Sequence, residues 1–212
     1  MEDIKIITNE IKEGLEKYDF KQKGTSRLFY YDCKWYVIIA ELLTGKDIAV
    51  INGIKFLWQF DNLLPIREVT KDDLNYYIKE TSPTIIEEAC LWINSKKEYF
   101  LKIYENPTNM LVFFKNHIDF HRYPHDYILA RMLNDSVETE YFENRAKNYV
   151  IEVNKNSGIY FTYGSEKPFR IMEADINYII KLSDTEFVDE MNKRINENRK
   201  KLKLKTYEKY FE

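Results

Sequence analysis

From Ser26 to Trp58 the chain is dense in β-branched and aromatic residues, with polar breaks at Tyr31-Asp32-Cys33 and Thr44-Gly45-Lys46-Asp47. That pattern predicts a meander of three strands, about Ser26–Tyr31, Trp35–Leu43 and Ile48–Trp58. The middle strand is apolar on both parities: Trp35, Val37 and Ile39 on one, and Tyr36, Ile38, Ala40 and Leu42 on the other. A strand of that kind is covered on both faces or lies centrally in a sheet with helices over it. Asn52-Gly53 interrupts the third strand. The pair fits a two-residue hairpin turn, and equally a bulge or a closely packed glycine within one continuous strand.

Elsewhere the apolar positions recur every three or four residues. Ile4, Ile7, Ile11, Leu15 and Tyr18 predict an amphipathic helix over about Asp3–Tyr18, after which Gly24 reads as a turn residue. Asp61–Val69, with Pro65, reads as a connector, and Thr70 as the N-cap of a short helix over Lys71–Glu80. Ser82-Pro83 starts a helix whose stripe is Ile86, Ala89, Cys90, Ile93, Phe100, Leu101 and Tyr104, ending near Glu105 before Pro107. Met110–Phe114 is apolar without a clear period. Tyr127, Ile128, Met132 and Leu133 predict a helix after Pro124. A further helix over Val137–Asn154 turns Tyr141, Phe142, Ala146, Tyr149, Val150 and Val153 inward and exits at Asn156-Ser157-Gly158. Ile159–Tyr163 reads as a short strand. Ser183-Asp184-Thr185-Glu186 has the form of a capping box, opening a last helix to about Lys201 with Phe187, Met191 and Ile195 inward. The class is α+β: an N-terminal helix, a small antiparallel β-meander and a helix-rich C-terminal half. It reads as one domain over residues 1–212, whose part from about residue 82 can form a helical lobe.

The N-terminal third, FKQKGTSRLFYYDCKWYVIIAEL followed by INGIKFLW, resembles an uncharacterised bacterial family, domain of unknown function 4304. The matching positions are Phe20, Lys21, Lys23, Gly24, Phe29, Tyr30, Trp35, Ile51, Asn52, Gly53 and Ile54. Asn52 here precedes Gly53 directly, without the residue that usually separates them, and no Arg follows Tyr30. The resemblance implies an α+β fold with a small antiparallel sheet, and it places Asn52-Gly53 inside a strand, favouring the continuous reading. It implies no activity and no catalytic residues.

Composition narrows the class further. Of the 212 residues 44% are hydrophobic and 32% charged, which describes a soluble globular chain and not a disordered one. The net charge of −3 is uneven. Lys193–Lys205 holds Lys193, Arg194, Arg199, Lys200, Lys201, Lys203 and Lys205 against Glu197; the rest of the chain carries 25 basic and 34 acidic residues, a net of −9. An acidic body does not invite nucleic acid and favours a basic partner. Cations gathered at a chain end partly offset the last helix's dipole, so removing Arg199–Glu212 is expected to leave partner binding largely intact. Two cysteines, Cys33 and Cys90, make neither a disulfide scaffold nor a zinc finger and read as free thiols. No run of ~18 apolar residues spans a membrane. MEDIKIITNE lacks the apolar core of a secretory signal, so the cytoplasm is the expected compartment.

Chemistry-bearing patterns are few. His117, His121 and His125 stand four apart, the spacing of a two-imidazole metal site on one helix face. Pro124 interrupts that helix, and no Glu follows the first His, so they read as ordinary histidines near a helix start. Glu87-Glu88 and Asp72-Asp73 sit where acids favour helix N-termini. Cys33 beside Lys34 fits a slightly acidified thiol, and more simply a turn cysteine. Tyr30, Tyr31, Trp35 and Tyr36 resemble a base-stacking row but lack interleaved cations, which makes them core. No Gly-rich phosphate loop is present. These observations predict a non-enzymatic intracellular bacterial binding protein with a protein partner, of an immunity or accessory kind, with no cofactor and no catalytic residue. The alternative is an enzyme or nucleic-acid-associated factor using the histidine stretch or the basic segment. The sequence does not fix an oligomeric state.

Overall fold

The computed structural model describes residues 2–44, 48–59, 75–78, 82–104, 106–116, 124–155 and 166–211. The chain divides into two compact units. The first comprises Met1–Leu57, Leu64–Glu105 and Arg199–Lys205; the second comprises Trp58–Leu63, Asn106–Asn198 and Thr206–Glu212.

In the first unit, five antiparallel strands lie in chain order: β1 (Lys21–Gln22), β2 (Leu28–Asp32), β3 (Tyr36–Thr44), β4 (Ile48–Phe56) and β5 (Asn75–Ile78). The three predicted strands are all present. Ile38 faces Ile54, Ile39 faces Gly53 and Ala40 faces Asn52, so β4 runs through Asn52-Gly53 without a turn or an extra residue. Tyr36 through Ala40 are all buried, as an apolar strand with both faces covered requires. β5 corrects the helix expected over Lys71–Glu80, where the described part is strand. Tyr76, Tyr77 and Ile78 suit a pleated surface, and pairing them with Val50, Ala49 and Ile48 satisfies the edge of β4.

Helix α1 (Glu2–Glu16) lays Ile7, Ile11 and Leu15, fully buried, against α2 (Pro83–Tyr104). The approach is close at Gly14, where a Cβ would lie 2.5 Å from Cys90 Sγ. The Ser82 hydroxyl accepts from the Ile85 N–H at 3.4 Å, and Pro83 takes the first helical position, as the dipeptide predicts. Lys97 joins the buried stripe of α2, between Ile93 and Phe100. Its ammonium donates to the Tyr18 carbonyl at 3.3 Å, pairs with Glu98 at 3.1 Å and stands 4.8 Å from the Tyr31 ring centre. Each contact answers part of the cost of burying the charge.

The regular elements described in the second unit are all helices: α3 (Pro107–Asn116), α4 (His125–Met132), α5 (Ser136–Lys155), α6 (Glu166–Ile179) and α7 (Asp184–Lys201), the last as far as Asn198. The apolar run Met110–Phe114 is helix, burying Met110, Leu111 and Phe114. α6 carries Phe169, Met172, Ile176 and Ile179, all buried, on a segment for which no element was expected. The capping box forms as predicted: Glu186 Oε2 accepts from Ser183 N at 2.9 Å, and Ser183 Oγ accepts from Glu186 N at 3.4 Å. On α5, Phe142 and Ala146 are buried, but Tyr141, expected inward, is exposed. It stands one residue, about 100°, round the helix from Phe142. The expected connector Asp61–Val69, the N-cap Thr70, the exit Asn156-Ser157-Gly158 and the strand Ile159–Tyr163 lie outside the described residues. Among the described residues no helix is long and apolar enough to cross a membrane.

Candidate functional site

Of the three histidines, His117 and His121 lie outside the described residues. His125 opens α4 and is fully buried, its Nδ1 accepting from the Trp58 indole N–H at 3.0 Å. That bond fixes Nδ1 as the unprotonated nitrogen and locks the ring to an equally buried tryptophan. Next to it, Asp126 is also buried, 3.2 Å from Arg145, and accepts from the Tyr127 N–H at 2.8 Å. Burial pushes its carboxyl up to about 6, against the opposing pull of Arg145. Among the described residues no three His, Cys, Asp or Glu side chains gather as metal ligands.

The basic segment is not simply a solvated chain end. Arg194 Nη1 and Nη2 meet Asp175 at 3.0 and 2.8 Å, and Nε meets Glu190 at 2.8 Å. Arg199, fully buried, forks onto both Asp32 oxygens at 2.7 Å and donates to the carbonyls of Lys34 and Lys205. It thereby fastens the β2–β3 turn, where Lys34 holds a left-handed φ of 67° and donates to Asp32 Oδ1 at 3.0 Å. The Tyr30 hydroxyl donates to the Leu202 carbonyl at 2.7 Å, and Leu204 N reaches the Arg199 carbonyl at 2.9 Å past Lys203 at φ 57°. Lys203 thus fills the left-handed helix-end position that glycine usually takes. Arg194 and Arg199 are internal, while Lys193, Lys200, Lys201, Lys203 and Lys205 are exposed. Deleting Arg199–Glu212 therefore removes a core arginine and the buried Leu204 together with the exposed cations.

Other candidates resolve into packing. Burial pushes the Cys33 thiol up to about 12 and that of Cys90 up to about 11, opposite to an activated thiol. Trp35 stacks on Phe56 at 5.9 Å, and Tyr36 meets Tyr104 at 6.0 Å, so these aromatics are core. Asp72-Asp73 lies outside the described residues. Glu87 and Glu88 are exposed on α2, with Glu88 Oε2 accepting from the Tyr76 hydroxyl at 3.0 Å.

Two surfaces remain. An open groove of about 490 Å³ is lined by residues that include Arg131, Thr139, Glu140, Glu143, Asn144 and Asp184. Its arginine is already engaged, by Asp184 Oδ1 at 3.0 Å, Tyr127 Oη at 2.9 Å and the Ile179 carbonyl at 2.9 Å, so it ties the end of α6 to the start of α7. The second surface is the outer side of α2. There Leu91 (51% exposed) and Tyr99 (43%) are interspersed with the exposed carboxylates Glu88 and Glu98. Separations of three residues (Glu88 to Leu91), seven (Leu91 to Glu98) and eight (Leu91 to Tyr99) place them on one side of the helix. On β5 of the same unit, Tyr77 is 55% exposed. The sequence pattern held the signal for α2: the positions left after its buried stripe is removed include Leu91 and Tyr99. Set beside protein-family models, curated proteins and solved structures, the chain matches none of them.

Proposed function

We propose that this is a non-enzymatic intracellular bacterial binding protein that acts by occupying a partner protein, in the manner of an immunity or accessory factor. The observation that carries the reading is the outer face of α2, where Leu91 and Tyr99 stand exposed among Glu88 and Glu98. Tyrosine and aliphatic anchors ringed by charge are what a protein interface uses, the anchors for affinity and the carboxylates for steering. The partner's matching surface is basic. The internal use of Arg194 and Arg199 lends the reading further support, because it subtracts from the cations available to a phosphate backbone.

The test is affinity capture from the native host with wild-type protein and with a Leu91→Ala/Tyr99→Ala variant, followed by affinity measurement on the recovered partner. Loss of the anchors is expected to weaken binding about tenfold or more. Glu88→Lys with Glu98→Lys is expected to slow association, with the effect fading at high salt. A partner held equally by all variants removes the α2 face from consideration. Micromolar binding to DNA or RNA at ~150 mM salt, lost in Lys200→Glu/Lys201→Glu, favours the nucleic-acid reading instead.

A further inference from the structure

Where α2 packs beside β5, an aromatic pair stands half-buried. The rings of Trp92 and Tyr76 lie 5.8 Å apart, tilted by 44°, and the Tyr76 hydroxyl donates to Glu88 Oε2 at 3.0 Å. One tyrosine thus touches both the indole and the carboxylate, and holds Glu88 beside Trp92. On the helix, Glu88, Trp92 and Lys96 follow one another at four-residue intervals, about one turn each. They border the line of Leu91, Ser95 and Tyr99, three residues away at every turn, so the indole adjoins the exposed anchors. All of these residues belong to the sheet unit.

The chain's own contacts show what the indole accepts. The Lys96 ammonium stands over the Trp92 ring, 5.6 Å from its centre. A cation there is drawn by the negative charge density of the ring face, and indole is the strongest such face among the side chains. At a half-exposed position the contact is weak, so a cation that fits better can take its place. Arginine fits better. Its guanidinium is planar and weakly hydrated, lies flat on an aromatic ring and forks onto a carboxylate at the same time. Glu88 supplies that carboxylate: it is exposed, and Tyr76 holds it by one oxygen.

We infer that Trp92, with Tyr76 and Glu88 around it, is a seat for a basic side chain of the partner protein, an arginine in preference to a lysine, and that Lys96 holds the seat until the partner's cation displaces it. The seat rests on the reading of α2 as the binding face and adds the chemistry which that face selects. The charge balance agrees with it: outside Lys193–Lys205 the chain carries 34 acidic and 25 basic residues, which suits a basic partner.

The test titrates the full chain, labelled with nitrogen-15, with acetylated tetra-arginine amide and separately with its tetra-lysine counterpart at ~150 mM salt. The indole N–H signals of Trp35, Trp58 and Trp92 are followed, with Trp92→Phe identifying its own. The Trp92 signal is expected to shift saturably while the other two stay, and the arginine peptide to bind about threefold or more tighter than the lysine peptide. Lys96→Ala empties the seat and is expected to tighten the arginine peptide about threefold. Lys102→Ala, the same charge change at an exposed position in the last turn of α2, is expected to alter it less than about 1.5-fold. Glu88→Gln is expected to weaken it about threefold or more. Circular dichroism checks that each variant is folded. An unmoved Trp92 signal, equal effects of Lys96→Ala and Lys102→Ala, or equal affinity for the two peptides overturns the seat. The seat and the α2 face fail separately. A natural partner that needs Leu91 and Tyr99 yet binds Glu88→Gln and Lys96→Ala as it binds wild type ends the seat and leaves the face. A partner indifferent to Leu91→Ala/Tyr99→Ala removes the face and, with it, the seat's role.

Discussion

In the helical unit, the carboxylate of Asp175 meets two nitrogens of Arg194 at 3.0 and 2.8 Å, and Asp126 has Arg145 beside it. In the sheet unit, Asn52 is just as deeply buried on β4, yet among the described residues neither its amide nitrogen nor its amide oxygen has a hydrogen-bond partner. An uncompensated buried charge costs several kcal/mol, so a helical interior that admits charges must match them. An unmet amide costs about 1–3 kcal/mol, which the apolar burial of β3 and β4 can absorb. The sheet unit matches its buried charge as well, Arg199 on Asp32, so what differs is the group and not the unit: a buried charge depends on a specific partner, whereas a buried amide can be carried by the sum of its packing.

Arg194→Ala strains the contrast most. It strands Asp175 in the interior and is expected to destabilise by about 3–5 kcal/mol, read from urea denaturation midpoints. A cost under ~1 kcal/mol would mean that the helical interior does not need the match. In the sheet, Ile38→Ala is expected to cost about 2–5 kcal/mol through lost burial and the cavity left behind, with Trp35→Ala in the same range. Next comes a pH effect. The Asp126 carboxyl is raised to about 6 by burial, above its unfolded value. The folded state therefore binds the extra proton between about pH 4 and 6. The stabilisation is complete below the unfolded pKa and is lost as pH rises through the folded one. This group alone is expected to contribute about 1–3 kcal/mol across that window. Asp126→Asn should flatten the slope of stability against pH there, and an unchanged slope would assign the effect elsewhere. The smallest effect has the opposite sign. Asn52→Leu, close in size and without the unmet amide, is expected to stabilise by about 1–2 kcal/mol, seen as a raised denaturation midpoint. A loss of stability would show that the amide has an interior partner.

Much of this architecture was legible in the chain because its signals are local. β-branched and aromatic density between turn residues set β2, β3 and β4, and Ser82-Pro83 and the Ser183–Glu186 box set two helix starts. β5 was misjudged because Asn75–Ile78 becomes strand through an open edge on β4, which local spacing does not encode. α6 was missed although its stripe Phe169, Met172, Ile176 and Ile179 has ordinary helical spacing. At the candidate sites, the arginines of the basic segment looked like a solvated tail. Asp32 lies 167 positions from Arg199, and no pattern along the chain connects them. Lys97 was likewise hidden, because a lysine in an apolar stripe looks like an interruption until Tyr18 and Tyr31 are seen around it.

The placement of Asn52-Gly53 in mid-strand also bears on how the chain ages. In a mobile chain, the backbone nitrogen of a glycine after asparagine can attack the side-chain amide carbon and expel ammonia. The cyclic imide then opens to aspartate or isoaspartate, a permanent gain of about one mass unit; asparagine is accordingly among the thermolabile residues. Pairing of Gly53 with Ile39 and Asn52 with Ala40 holds this backbone extended, away from the bend that ring closure needs. The dipeptide is thus a chemical clock that runs chiefly while β3 and β4 are apart. Isoaspartate at residue 52 would record how long each molecule has spent with its central strands separated.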